Sequence, residues 1–176
     1  MPVSIRQLHP HFFGEVSGVD LRKPLTPQEA ADIEAGMDKY AVLLFRNQDI
    51  TDEQQLAFAL NFGNREKARG GTITKKEDYR LTSGLNDVSN LGKDGKPLPR
   101  DSRQRLFNLG NLLWHSDSSF RAIPAKYSLL SARVVNPKGG NTDRGQSRPS
   151  PKQSCQAYHQ PATENGEQDK VGKKRW

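Results

Sequence analysis

Leu113-Trp114-His115-Ser116-Asp117-Ser118-Ser119-Phe120 sets an imidazole and a carboxylate two residues apart between apolar segments. Residues i and i+2 of an extended strand share a face, so the spacing predicts His115 and Asp117 side by side on a strand. Iron(II) in oxygenases is commonly held by two histidines and one carboxylate on one face of the metal, with positions left open for co-substrate and oxygen. His-x-Asp supplies two of those three ligands. Alone, such a pair is more often a hydrogen-bonded couple in an ordinary core, so its surroundings decide the reading.

Upstream, Thr26-Pro27-Gln28-Glu29 has the form of a capping box, with Pro27 in the first helical position. Ala30, Ile33, Met37 and Tyr40 follow at helical spacing and give one buried stripe. Ala41 to Phe45 is a short continuous apolar run, the pattern of a strand covered on both faces. Arg46 to Asp49 turns the chain. Thr51-Asp52-Glu53-Gln54 then opens a second helix, expected to run to about Phe62 and stop at Gly63. Before the first helix, Val3 to Leu8 reads as extended, and Gly14 and Gly18 as punctuation. From Asn64 to Arg105 periodicity fades among glycines and charges, and the stretch is read either as a lid over a pocket or as a solvated insertion.

Downstream of the His-x-Asp pair, Tyr127 to Val135 is a strand pattern, and Asn136-Pro137-Lys138-Gly139-Gly140 is a turn. After Thr142 the composition changes abruptly. Hydrophobic residues thin out to Cys155, Ala157, Tyr158, Ala162, Val171 and Trp176 among many Gly, Ser, Gln and Pro. Such a segment buries too little to offset its ordering entropy, so residues 143–176 are expected to be a disordered tail, of the kind a shifted reading frame or a retained intron would encode.

Whole-chain composition adds few constraints. Only 33% of the 176 residues are hydrophobic and the net charge is +7. The basic residues are scattered and not interleaved with aromatics, so a solvated basic surface accounts for them better than nucleic-acid binding does. Cys155 stands alone, which excludes an internal disulfide. No apolar run reaches the roughly 20 residues that span a bilayer, and the N-terminus lacks a signal-peptide layout. A cytoplasmic protein is the expectation.

Six segments in order give the chain a resemblance. They are Leu8-His9-Pro10, Gly18-Val19-Asp20-Leu21, Val42-Leu43-Leu44-Phe45-Arg46, Gln54 to Ala59 with Phe62-Gly63, Leu113 to Phe120, and Gly139-Gly140-Asn141-Thr142. Residues 1–142 resemble the N-terminal half of the iron(II)/2-oxoglutarate-dependent TauD/TfdA dioxygenases, nearest the 2,4-dichlorophenoxyacetate branch. The resemblance implies a mainly β fold with flanking helices (α+β), here an incomplete double-stranded β-helix or jelly roll. It implies His115 and Asp117 as metal ligands for Fe(2+), Thr142 at the distal carboxylate of the co-substrate 2-oxoglutarate, and Asn111 beside the substrate. Trp114 is expected to pack behind the ligand segment as a core aromatic.

Implied with these is oxidative decarboxylation of 2-oxoglutarate with O2, coupled to hydroxylation of a small anionic organic substrate of aryloxyalkanoate or sulfonate type. Homo-oligomers are common in the family. Its distal iron-binding histidine and its co-substrate arginine fall beyond Thr142. Neither His159, in a Gln/Pro-rich context with no strand expected around it, nor Arg144 and Arg148, close behind Thr142, matches them. His9 and His11 resemble a surface element. On these grounds the 176-residue chain is expected to be inactive by itself. The alternative is a non-catalytic fragment that pairs with a full-length homologue.

Overall fold

Ala41 ends a helix in the left-handed region (φ 61°) and hands the chain directly to a fully buried strand. In this computed structural model the described residues are 2–66, 79–112, 115, 117–118, 121–135 and 155–160, with the backbone alone described at 111–112 and 155–160. The chain forms two units, Met1–Ile50 with Lys126–Trp176, and Thr51–Ala125.

The first unit is a five-stranded mixed sheet with one helix. β1 (Ser4–Gln7) runs antiparallel to β2 (Gly14–Ser17), and β2 lies parallel to β3 (Val42–Arg46). α1 (Pro27–Tyr40) connects β2 to β3, as a parallel pair requires a crossover. Thr26 caps it: its hydroxyl accepts from the Glu29 N–H at 3.2 Å, and the Glu29 carboxylate accepts from the Thr26 N–H at 2.7 Å. Ile33, Gly36, Met37 and Tyr40 form its buried face, and α1 packs against β2, β3 and β5 (Cys155–Gln160). β4 (Tyr127–Ser131) completes the order β1-β2-β3-β5-β4. Val42 to Phe45 are all buried, with Leu43, Leu44 and Phe45 at 2% exposure or less, as the continuous apolar run predicts.

Polar side chains tie this unit together at its margins. Glu15 on β2 pairs with Arg6 on β1 and accepts from Arg46 Nε on β3 at 2.8 Å. Gln48 accepts from the Leu21 N–H at 2.9 Å and donates to the Val19 carbonyl at 3.1 Å, locking the Gly18–Leu21 loop to the exit of β3. Glu34 on α1 pairs with Lys126 and accepts from the Tyr127 hydroxyl at 3.4 Å.

Three expectations need correction here. Gly14 does not interrupt a strand but opens β2: a Cβ there would lie 2.6 Å from Ile5 Cγ2 and 3.1 Å from the Tyr40 ring, so the glycine makes room for packing. The Tyr127 strand stops at Ser131, short of Val135, because the chain bends there and Arg133 donates to the Ile50 carbonyl. Within the tail, Cys155–Gln160 is a strand, parallel to β3 on one side and β4 on the other. Its backbone groups have ladder partners on both flanks, an ordering contribution that does not depend on apolar side chains. The rest of 143–176 lies outside the described residues.

The second unit is helical and looped. α2 (Asp52–Leu60) starts at a capping box made by Thr51 and Gln54 and buries Phe58, whose ring meets Phe62 edge-on at 5.2 Å. The helix ends at Leu60 with Asn61 as its cap, two residues short of the expected Phe62, and Gly63 follows at φ 125°. The loop beyond residue 78 is pinned at several points. The Thr82 N–H donates to Asp52 Oδ2 at 2.9 Å, Arg80 pairs with Asp87 at 3.0 Å, and a narrow turn brings Leu91 opposite Pro97. α3 (Arg103–Asn108), capped by Ser102, holds that turn: Asn108 Nδ2 donates to the Ser89 carbonyl at 2.6 Å and Arg105 to that of Leu98 at 3.2 Å. Among the described residues, no helix is long and apolar enough to cross a membrane.

Candidate metal centre

α3 runs on into a short 3-10 helix, Leu109–Leu112, which carries Asn111 in its backbone, and His115 follows in irregular structure. Asp117 and Ser118 sit in a turn. The extended strand expected beneath the pair is therefore corrected to a turn. The two side chains nevertheless meet, with His115 Nε2 3.4 Å from Asp117 Oδ1.

The chain next to Asp117 is held at several points. Ser118 takes φ 58°, a left-handed conformation that a non-glycine residue adopts at a cost of roughly 1–2 kcal/mol. The Arg121 N–H donates to the Ser118 carbonyl at 3.0 Å and closes the turn. Glu66 braces both ends: one carboxylate oxygen accepts from the Ser118 hydroxyl and the other pairs with the Arg121 guanidinium. Ser118, Arg121 and Glu66 are thus supports of the site, and sequence reasoning singled out none of them for such a role. Glu66 lies 52 residues from Ser118, a separation at which no local pattern signals a contact.

The donor set suits a divalent cation as far as it goes. Two ligands on bonds of about 2.1 Å at a right angle sit about 3.0 Å apart, close to the observed 3.4 Å. Imidazole nitrogen and carboxylate oxygen are the mixed donors that iron(II) oxygenases use. Both side chains are about half exposed, His115 at 48% and Asp117 at 44%, so an ion from solvent can reach them. Among the described residues no cluster of three or more His, Cys, Asp or Glu could hold a metal.

The remaining sequence candidates fall elsewhere. Thr142, Trp114, Arg144 and Arg148 lie outside the described residues, as does the side chain of Asn111. The backbone of His159 is in β5, in register with Phe45. His9 and His11 belong to the turn between β1 and β2. His9 Nδ1 accepts from the His11 N–H at 3.3 Å, and its ring lies 4.5 Å from Phe12.

Comparison with known proteins shows the family. The family described as "Taurine catabolism dioxygenase TauD, TfdA family" matches residues 4–143. The alpha-ketoglutarate-dependent 2,4-dichlorophenoxyacetate dioxygenase of Burkholderia sp. (strain RASC) is 43% identical over 145 residues, covering 81% of this chain and 48% of that protein. The enzyme of the same description from Cupriavidus pinatubonensis is 45% identical over 145 residues, 81% of this chain and 50% of that one. The crystal structure of AAD-2 in complex with Mn(II) and N-oxalylglycine superposes with a TM-score of 0.74 at 77% identity, over 79% of this chain and 48% of that one. The chain spans about half the length of the curated relatives it matches. With its family segments, its mixed sheet and its histidine–aspartate pair, this chain belongs to the TauD/TfdA dioxygenase family.

Proposed function

We propose that the chain carries the proximal half of an iron(II) site in a 2-oxoglutarate-dependent dioxygenase acting on a small anionic aryloxyalkanoate. The observation that carries this reading is the 3.4 Å approach of His115 Nε2 to Asp117 Oδ1 in a half-exposed turn. The relatives named as 2,4-dichlorophenoxyacetate and (S)-phenoxypropionate dioxygenases support the substrate class. Support for the co-substrate comes from N-oxalylglycine in the AAD-2 complex, since it differs from 2-oxoglutarate by an NH in place of one CH2.

In this reading His115 would supply a nitrogen donor and Asp117 an anionic oxygen donor to the ion. When bound, the iron supplies the redox centre at which 2-oxoglutarate and O2 are consumed. Thr142 hydrogen-bonds the far carboxylate of 2-oxoglutarate, and Asn111 lies beside the substrate. For an aryloxyacetate, hydroxylation of the carbon next to the ether oxygen gives a hemiacetal that releases a phenol and glyoxylate, while 2-oxoglutarate leaves as succinate and carbon dioxide. Residues 1–142 are the dioxygenase portion, and their strands belong to a double-stranded β-helix.

The test is an anaerobic titration of the purified chain with iron(II) and 2-oxoglutarate, following the visible charge-transfer band of the chelate. A band that is lost in both His115→Ala and Asp117→Ala is the expected result. A band unchanged by either substitution, or its absence from the wild-type chain, would sink the reading.

A further inference from the structure

We infer that Glu66 is a positioning residue for Asp117, an inference that rests on the metal-site reading above. Asp117 is joined directly to Ser118, whose backbone is held at φ 58°. Left-handed conformations at non-glycine residues persist only where the surroundings over-determine them. Here one side chain supplies much of that determination. Glu66 accepts from the Ser118 hydroxyl through Oε2 and pairs with Arg121 through Oε1, while the Arg121 N–H donates to the Ser118 carbonyl. A single carboxylate therefore bridges the first and last residues of the turn that begins one peptide bond after the proposed ligand.

Glu66 and Arg121 are only 26% and 28% exposed at the side chain, so water competes less for this pair than for a surface one. Releasing Ser118 from Glu66 and Arg121 would free the backbone next to Asp117 from its anchor, so that its carboxylate would have to be ordered when a metal binds. Supporting residues of this kind typically contribute 10–100-fold to metal affinity, because the ligand must otherwise be ordered when the metal binds. Gln in place of Glu66 removes the negative charge and leaves one acceptor oxygen, so neither the hydroxyl nor the guanidinium keeps its charge-assisted bond.

The test measures Mn(II) binding to the 176-residue chain by electron paramagnetic resonance, with no co-substrate and no turnover. Wild-type, Asp117→Ala, Glu66→Gln, Ser118→Ala and the Glu66→Gln/Ser118→Ala double variant are compared, with thermal unfolding of each. We expect Glu66→Gln and Ser118→Ala each to weaken Mn(II) binding by about 10-fold or more at nearly unchanged unfolding temperature. The double variant should be little worse than the weaker single one, because both remove the same brace. Wild-type affinity in Glu66→Gln, with Asp117→Ala defective, would overturn the positioning role and leave the metal site standing. Losses that multiply in the double variant, or wild-type affinity in Ser118→Ala beside a weakened Glu66→Gln, would make Glu66 an independent ligand. Should Glu66→Gln fail to fold, Ser118→Ala alone decides between brace and no brace. Equal binding by wild-type and Asp117→Ala would remove the site and the inference with it.

Discussion

Glu15 shows how the sheet margin is tuned one residue at a time. Burial by itself pushes its carboxyl up, but the guanidiniums of Arg6 and Arg46 outweigh that and hold it below the usual range. Glu34 is likewise held down, chiefly by its hydrogen bond to Lys126. A carboxyl depressed by folding contributes stability that is fully present above its unfolded value of about 4.3 and is lost as pH falls through the folded value. Unfolding of the chain should therefore become easier as pH drops below about 4.3, and Glu15→Gln should flatten part of that dependence. Denaturant titrations at a series of pH values check this. Arg6 and Arg46 are 73% and 40% exposed at the side chain, so screening keeps the neutral-pH contribution of each pair within about 1 kcal/mol. At this scale the proximity of His115 and Asp117 was legible because their spacing is local. Glu66 was not, since its partners stand far along the chain and any exposed-looking glutamate reads the same.

Elements were legible where their signals sit within a few residues. Both capping boxes and the buried run at 42–45 are encoded locally, and each formed. Thr26→Ala removes one half of the first box and should destabilise the chain by about 1 kcal/mol, measurable as a lowered denaturation midpoint with an unchanged m-value. Strand ends and the conformation at Asp117–Ser118 were less legible. Tyr127 to Val135 keeps a strand-like composition past Ser131, and what ends the strand is a bend and the reach of Arg133 to Ile50, a contact between distant segments. The His-x-Asp spacing likewise fits a strand on paper. The left-handed Ser118 makes it a turn, and serine gives no warning of that conformation as glycine would.

For the molecule as a whole, the α+β character could be read from the alternation of helix and strand patterns, but the strand order could not. The tail's composition argued against regular structure, and composition is silent about backbone ladders. Ala157→Pro tests whether the tail strand matters to the sheet. Proline in a central strand removes a ladder donor, so protection of the β3 amides from hydrogen exchange should fall in this variant. Equal protection in wild-type and variant would mean that β5 adds nothing to β3.

β5 also sets the order in which the first unit can assemble. Leu44 pairs with Tyr158, and Leu129 with Ala157, so the sheet closes through residues beyond the 4–143 span that the family matches. On a ribosome, β3 and β4 are both made well before the strand that joins them. Until then each exposes a bare edge, open to pairing with a neighbouring nascent chain. Closing so long a loop late makes this a slow-folding topology, one for which the timing of synthesis and the presence of holding chaperones weigh as much as the final contacts.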